Sequence, residues 1–425
     1  MRLSVFTHFC WIAAALMGGF PSISRAQTVG TIAGFPTDGF HPAAEYYAND
    51  QPVSIAVGDF NKDGKLDVAI ANYYGSNEGG RVSILLGNGD GTFGPPTTYY
   101  SGGLSIAVAT ADFNKDGNLD LVVVNQNSAD VSIFLGNGDG SFQLAVGYKA
   151  GLAPTAIAVG DYNGDGKADL AVSDGSGMVS ILLGKGDGTF GGLVSFHAGV
   201  NPTSIVAGDF NGDGKLDLAV TNNGVSGTAG TTVAVLMGNG DGTFQPATFF
   251  AAGTSPRFLT VGDFNLDGKL DLVTANDVVF PFGGGNVMLG NGDGTFQTAL
   301  PFSAAGFPFA LTVADFNGDG KPDVAVANNG QAGCGDTVSV LLGNGDGTFQ
   351  PAVNFGAGVA PAAIASADLN GDRLDDLIVA DQGSNTISVL MATGASAVGT
   401  TPSQTTLENR GCWDRISQPG GSTLR

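Results

Sequence analysis

Short apolar runs recur along the whole chain, and each one stops at a cluster of Gly, Asn and Asp. SIAVGDF (54–60) leads through an acidic segment into LDVAIAN (66–72), then VSILLGN (82–88), a glycine-rich turn and an aromatic stretch around TTYY (97–100). Runs of this length, rich in Val and Ile and bounded by turn residues, predict strands. Nothing between them is long enough for the crossover helix that parallel strands require, so the pairing is antiparallel.

The same unit returns down the chain, and repetition governs the rest of the reading. GDFNKDGKLD, beginning at Gly58, recurs as ADFNKDGNLD, GDYNGDGKAD, GDFNGDGKLD, GDFNLDGKLD, ADFNGDGKPD and ADLNGDRLDD. The first aspartates of these seven phrases are spaced by 53, 49, 48, 54, 52 and 53 residues. A second phrase, close to LLGNGDGTF, occurs six times. Four short strands per repeat of about 50 residues match the blades of a propeller. The expected fold is therefore all-β: a seven-bladed β-propeller of four-stranded antiparallel blades spanning 27–395.

The ends favour closure of that ring. The seventh unit lacks its GDGTF phrase and fourth strand, and the missing piece stands before the first unit as TDGFHPAAEYYA (37–48). An N-terminal strand completing the last blade removes the exposed edges of an open array. A linear stack gives no reason for complementary incomplete ends.

Residues 1–26 read as an export signal: Arg2, an apolar stretch over 9–20, and a small-x-small ending at Ser24-Arg25-Ala26. Cleavage near Ala26 implies a secreted, periplasmic or cell-surface protein. No later run is long enough to span a bilayer. Residues 396–425 leave the repeat and read as a disordered tail. Beyond the signal the cysteines are Cys334 and Cys412, too few to staple a chain of this size, and the sequence leaves their pairing open.

Composition changes the picture through charge. Acidic side chains outnumber basic ones 39 to 17, for a net charge of −22, which excludes a nucleic-acid backbone as partner. Most of the excess has one source, because 27 of the 39 acids lie in the repeated acidic loops and NGDG turns.

Each acidic loop reads D-x-N-x-D-G-x-x-D. In chain order the loops offer Asp59, Asn61, Asp63 and Asp67; Asp112, Asn114, Asp116 and Asp120; Asp161, Asn163, Asp165 and Asp169; Asp209, Asn211, Asp213 and Asp217. The last three offer Asp263, Asn265, Asp267 and Asp271; Asp315, Asn317, Asp319 and Asp323; Asp368, Asn370, Asp372 and Asp376. Oxygen ligands at alternate positions around a tight turn suit Ca²⁺, which takes hard oxygens. Glycine at the sixth position lets the backbone turn so that the next carbonyl, here Lys65, can also face the ion. Zn²⁺ would call for Cys or His. A plain hairpin turn needs no fourth acid, and clustered carboxylates repel one another without a cation. Up to seven ions are expected, the seventh site being weakest because Arg373 replaces the glycine and Asp375 adds an acid. For NGDG, a glycine-rich turn is explanation enough.

Other calcium motifs do not fit. An EF-hand needs an acid at position 12, where these loops carry Ile70, Val123, Val172, Val220, Thr274, Val326 and Val379. With the loops at blade spacing, the chain over roughly 30–395 resembles the FG-GAP/VCBS repeat family, best known from the calcium-bearing propellers of integrin α-chains. That resemblance implies Ca²⁺ in the loop joining the first two strands of each blade, and roles in adhesion or ligand binding. It also admits occasional hydrolysis, so fold alone does not settle function.

In a four-strand meander the calcium loops and NGDG turns share one face. The other face gathers the variable segments 72–81, 222–232, 276–286 and 328–337. Binding residues concentrate in such loops, which makes Tyr73, Tyr74, Arg81, Arg257, Phe280 and Phe282 the candidate contacts for an extracellular protein or glycan ligand. Local packing over the ring is the competing account of these residues. An enzyme would need a calcium-dependent polysaccharide lyase or hydrolase site on this face, built from Lys149, His197, Arg257 or Asp277. A purely structural surface protein is the other alternative. A non-catalytic binding or adhesion module with structural calcium fits the residues best.

Overall fold

The structure, a computed structural model, describes residues 39–73, 79–225, 228–277, 283–330 and 336–393. The export segment, the tail, Tyr74, Phe280, Phe282, Cys334 and Cys412 lie outside the described residues. The described chain forms seven four-stranded antiparallel sheets. The first blade is β2 (Pro52–Gly58), β3 (Asp67–Asn72), β4 (Gly80–Leu85) and β5 (Thr97–Gly102), hydrogen-bonded in that order. Five more blades repeat the order. No helix among the described residues is long and apolar enough to cross a membrane.

The ring closes as the complementary ends require. β1 (Ala44–Tyr47) pairs antiparallel with β28 (Thr386–Leu390) in the sheet that also holds β26 (Pro361–Ala367) and β27 (Asp376–Asp381). Ala44 faces Val389 and Tyr47 faces Thr386. A bridge between Phe40 and Ala392 repeats the Gly87–Phe93 bridge of the first blade. The innermost strands pack side by side around the ring, with β2 between β26 and β6 (Ser105–Ala111).

Burial falls outward through each blade. Second strands such as β3 are buried at every position, because neighbouring sheets cover both faces. Outermost strands such as β1 are exposed at three of four positions. This gradient explains why the fourth strand carries the least apolar sequence.

A repeated aromatic clasp ties blade to blade. Phe60 leaves the first blade's acidic loop and meets Phe142 of the second edge-on at 5.6 Å, while Tyr99 meets the same ring at 5.8 Å. At the other end of the chain Phe40 meets Phe316 at 5.8 Å and Phe355 at 5.3 Å, so the N-terminal segment is clasped like any other. Each edge-to-face pair contributes about 0.5–1.5 kcal/mol beyond its buried area.

Three expectations shift. The first strand runs over 52–58 instead of 54–60, because Pro52 can open a strand without an N–H and Phe60 turns out into the clasp. The third strand ends at Leu85, where the bridge at Gly87 begins the turn. The segment 222–232 is also less loop-like than expected. β15 (Asp217–Val225) and β16 (Thr228–Leu236) extend into it, with Gly224 opposite Ala229 and Val225 opposite Thr228. Its Thr and Val content favours continued pairing.

Candidate metal centres and ligand face

Each acidic loop is a wrapped turn in which side-chain oxygens receive backbone N–H groups. In the first, Asp59 accepts from Asp63 N at 3.2 Å and Gly64 N at 2.9 Å. Asn61 Oδ1 accepts from Asp63 N at 2.9 Å, and Asp63 Oδ1 accepts from Lys65 N at 2.9 Å. Gly64 has φ 82°, the left-handed conformation that glycine takes without strain. In the seventh loop Arg373 adopts φ 74° and donates its N–H to Asp368 Oδ2 at 2.8 Å, so the backbone keeps its course despite the lost glycine.

The ninth-position aspartates play a part that sequence reasoning missed. Asp67 is fully buried, and its two oxygens accept from Phe60 N at 2.9 Å and Gly87 N at 2.8 Å. It thereby staples the acidic loop to the end of the third strand. Asp376 does the same with Leu369 N at 3.0 Å and Ala392 N at 2.7 Å. Burial pushes the Asp67 carboxyl up to about 6, the two N–H donors oppose this, and the charges of Asp59 and Asp63 raise it further. Asp323 is pushed up to about 7 in the same way.

Lysine supplies positive charge in five loops. The ammonium of Lys65 stands 3.7 Å from Asp63, Lys167 2.9 Å from Asp165 and Lys215 3.8 Å from Asp213. Lys269 lies 3.4 Å from Asp267 and Lys321 3.5 Å from Asp319.

These residues fit Ca²⁺ in donor chemistry. The side chains offered are hard oxygens, three carboxylates repel one another in each loop, and an ammonium already stands against the fifth-position oxygen in five loops. Among the described residues no group of three or more Asp, Glu, His or Cys converges as a ready-made cage. The reason is visible in the first loop, where the carboxylates turn toward N–H donors.

The NGDG segments are turns that dock blade on blade. Asp90 accepts from Thr92 N at 3.0 Å and Thr92 Oγ1 at 2.6 Å. Gly140 of the second blade donates to the Phe60 carbonyl of the first at 3.0 Å, which puts turn and acidic loop on one face.

On the opposite face the candidate contacts are dispersed. Tyr73, half-buried, donates its N–H to the Gln51 carbonyl at 2.8 Å, and Arg81 lies across from Asn72 and Tyr100. Arg257 belongs to the fifth blade, on β18 (Pro256–Gly262). Its guanidinium lies 3.5 Å from the centre of the Phe309 ring and 3.6 Å from Asp277. Burial pulls the Arg257 pKa down, and Asp277 offsets part of that. The catalytic alternative is not assembled, because Lys149 and His197 end the outer strands β9 (Val146–Lys149) and β13 (Val194–His197) of other blades. Only Arg257 and Asp277 come together.

Sequence reasoning also missed a polar ring at the end of each second strand. Asn72, Asn125, Asp174, Asn222, Asn276, Asn328 and Asp381 are all buried there. Asn125 donates to the Ser101 carbonyl at 3.0 Å and Asn276 to that of Ala252 at 2.9 Å, holding the crossovers between blades. An Asn or Asp closing every LDVAIAN-type phrase was the available signal.

Comparison with known proteins agrees with this architecture. The FG-GAP-like repeat matches residues 59–123, 112–172, 161–220, 224–274, 275–326 and 315–379. No curated protein matches the chain. Two solved structures of BBS1N in complex with ARL6DN, one soaked with lead and one with mercury, are similar in fold. Their TM-scores are 0.57 and 0.58 at 13% identity, covering 85% and 84% of this chain and 99% and 98% of theirs.

Proposed function

The chain belongs to the FG-GAP-like repeat family, and we propose that it is a secreted, non-catalytic binding or adhesion module with calcium as a structural ion. Residues 1–26 direct export, the acidic loops hold Ca²⁺ at one end of the ring, and the opposite face takes an extracellular protein or glycan. In each loop the first, third, fifth and ninth side chains are the proposed ligands, Asp59, Asn61, Asp63 and Asp67 in the first. When bound, the ion neutralises carboxylates that otherwise repel one another around a buried aspartate.

The observation that carries this reading is the contrast between the two faces. One repeats a single acidic loop in every blade, while the other varies from blade to blade and presents Tyr73, Arg81 and Arg257. A protein ligand is also consistent with the BBS1N propeller, which was crystallised with ARL6DN. The separation of Lys149 and His197 from Arg257 and Asp277 favours binding over catalysis.

A glycan and matrix-protein array probed with the calcium-loaded chain tests the assignment. A hit that weakens in Tyr73→Ala or Arg257→Ala, with folding intact, supports it. Release of reducing ends or unsaturated products from a polysaccharide would replace it with the enzyme reading.

A further inference from the structure

The acidic loops share one backbone course but not one electrostatic setting. In five of them the seventh-position lysine reaches back to the fifth-position aspartate, at 2.9–3.8 Å. The second loop has Asn118 at that position, and Asp116 there accepts from Asn118 N at 2.7 Å and Asn114 Nδ2 at 2.9 Å, but Lys62 of the first blade stands beside the loop. The Lys62 ammonium lies 3.9 Å from where a Cβ on Gly117 would stand. The seventh loop carries Leu374 at the lysine position. Asp372 there accepts only neutral donors, Leu374 N at 2.8 Å and Asn370 Nδ2 at 2.9 Å. Arg373 is exposed and makes none of the ion pairs found in the other loops. Asp375 adds a carboxylate where the other loops place Leu, Ala or Pro.

From this arrangement we propose that the lysines screen their own loops, so that the seventh loop is the high-affinity calcium site of the ring. The proposal rests on the calcium reading and reverses the order expected from the sequence, where both Arg373 and the added Asp375 counted against the seventh site. A lysine must withdraw before a divalent ion can use the oxygen it faces, and it then remains a like charge nearby. An ammonium held about 6 Å from Ca²⁺ in a solvated setting weakens binding by about tenfold. In the seventh loop no ammonium stands against the fifth-position oxygen, the Arg373 guanidinium forms no ion pair with it among the described residues, and Asp375 adds an acid. Its left-handed Arg373 is a strain already present in the folded loop, so it does not count against the ion.

The screening also predicts sensitivity to ionic strength. All these lysines are at the surface, so added monovalent salt weakens their effect and narrows the gap between site classes.

Calorimetric titration of the chelator-stripped full chain with Ca²⁺ tests the proposal, alongside Asp372→Asn and Lys321→Met. Wild type should bind one ion about tenfold more tightly than the rest. Asp372→Asn should delete that tight class and keep the weak one, whereas Lys321→Met, at a half-exposed side chain, should add one ion to the tight class. Uniform affinity, or a tight class that survives Asp372→Asn, would overturn the screening argument while leaving calcium binding in place. Absence of any binding would overturn the calcium reading itself, and the proposal with it.

Discussion

Asp381→Asn should make the protein more stable at pH 8 and leave it nearly unchanged at pH 4. Asp381 is fully buried at the end of β27, where five other blades carry Asn. Ser388 donates its hydroxyl to Oδ2 at 2.6 Å, and Oδ1 has no hydrogen-bond partner among the described residues. Burial pushes its carboxyl from 3.8 up to about 7; Ser388 and the Gly358 N–H oppose the rise, and Glu45 and Asp336 add to it. A folded pKa above the unfolded one means that the native state binds the extra proton. Stability is therefore lost as pH rises from about 4 and the loss is complete above about 7. At about 1.4 kcal/mol per pKa unit, the rise from 3.8 to about 7 makes the ionised carboxylate cost about 4 kcal/mol at pH 8. Asparagine removes that cost and can still accept from Ser388. Asp174 is the matched control, since its Oδ1 accepts from Ser176 N at 2.9 Å, Ser176 Oγ at 2.6 Å and Met178 N at 3.2 Å, and its Oδ2 from Leu152 N at 3.2 Å. Asp174→Asn should destabilise by about 1–2 kcal/mol, because an amide nitrogen then faces an N–H donor. Urea unfolding of both variants at pH 4 and pH 8 reads the result. A loss of stability in Asp381→Asn at pH 8, or a gain independent of pH, would refute the reasoning.

Further tests address the ring and its loops. Phe142→Ala should cost about 3–5 kcal/mol in urea unfolding, since the ring is buried and clasped from two sides. Phe93→Ala should cost about 1 kcal/mol less, because Leu369 stands where the other loops place an aromatic and only Tyr46 meets Phe93 edge-on. Removing residues 39–47 should leave β28 as an open edge, and light scattering should then show association on warming. Asp217→Ala in EDTA should destabilise by about 2–4 kcal/mol through its orphaned Phe210 and Gly238 N–H groups, a staple effect separate from any metal.

The blades were legible in the sequence because every local signal repeated in phase: Val/Ile runs, Gly-Asn-Asp punctuation and one acidic phrase per unit. Closure was legible for the same reason, since 37–48 resembles only the piece absent from the seventh unit. What the pattern hid was direction. Asp67 and Asp63 look alike in a string, yet one is buried under two backbone N–H donors and the other faces a lysine at the surface. Phe60 read as the end of a strand because periodicity cannot tell a ring facing its own sheet from one clasped by the next blade. The stacking of Arg257 on Phe309 joins residues 52 apart, and the clue was only that both follow the opening proline of their innermost strands. Candidate contacts on the variable face were placed on that face but not gathered into one patch, since loop sequence carries no information about which blades sit opposite.

Calcium in the acidic loops, as proposed above, would stabilise the ring. Thermal unfolding of the full chain in EDTA and in millimolar Ca²⁺ tests it most directly. Each site filled at 100 times its dissociation constant adds about 2.7 kcal/mol, so the melting temperature should fall sharply in EDTA and return when calcium is restored. Identical melting in both buffers would contradict the account.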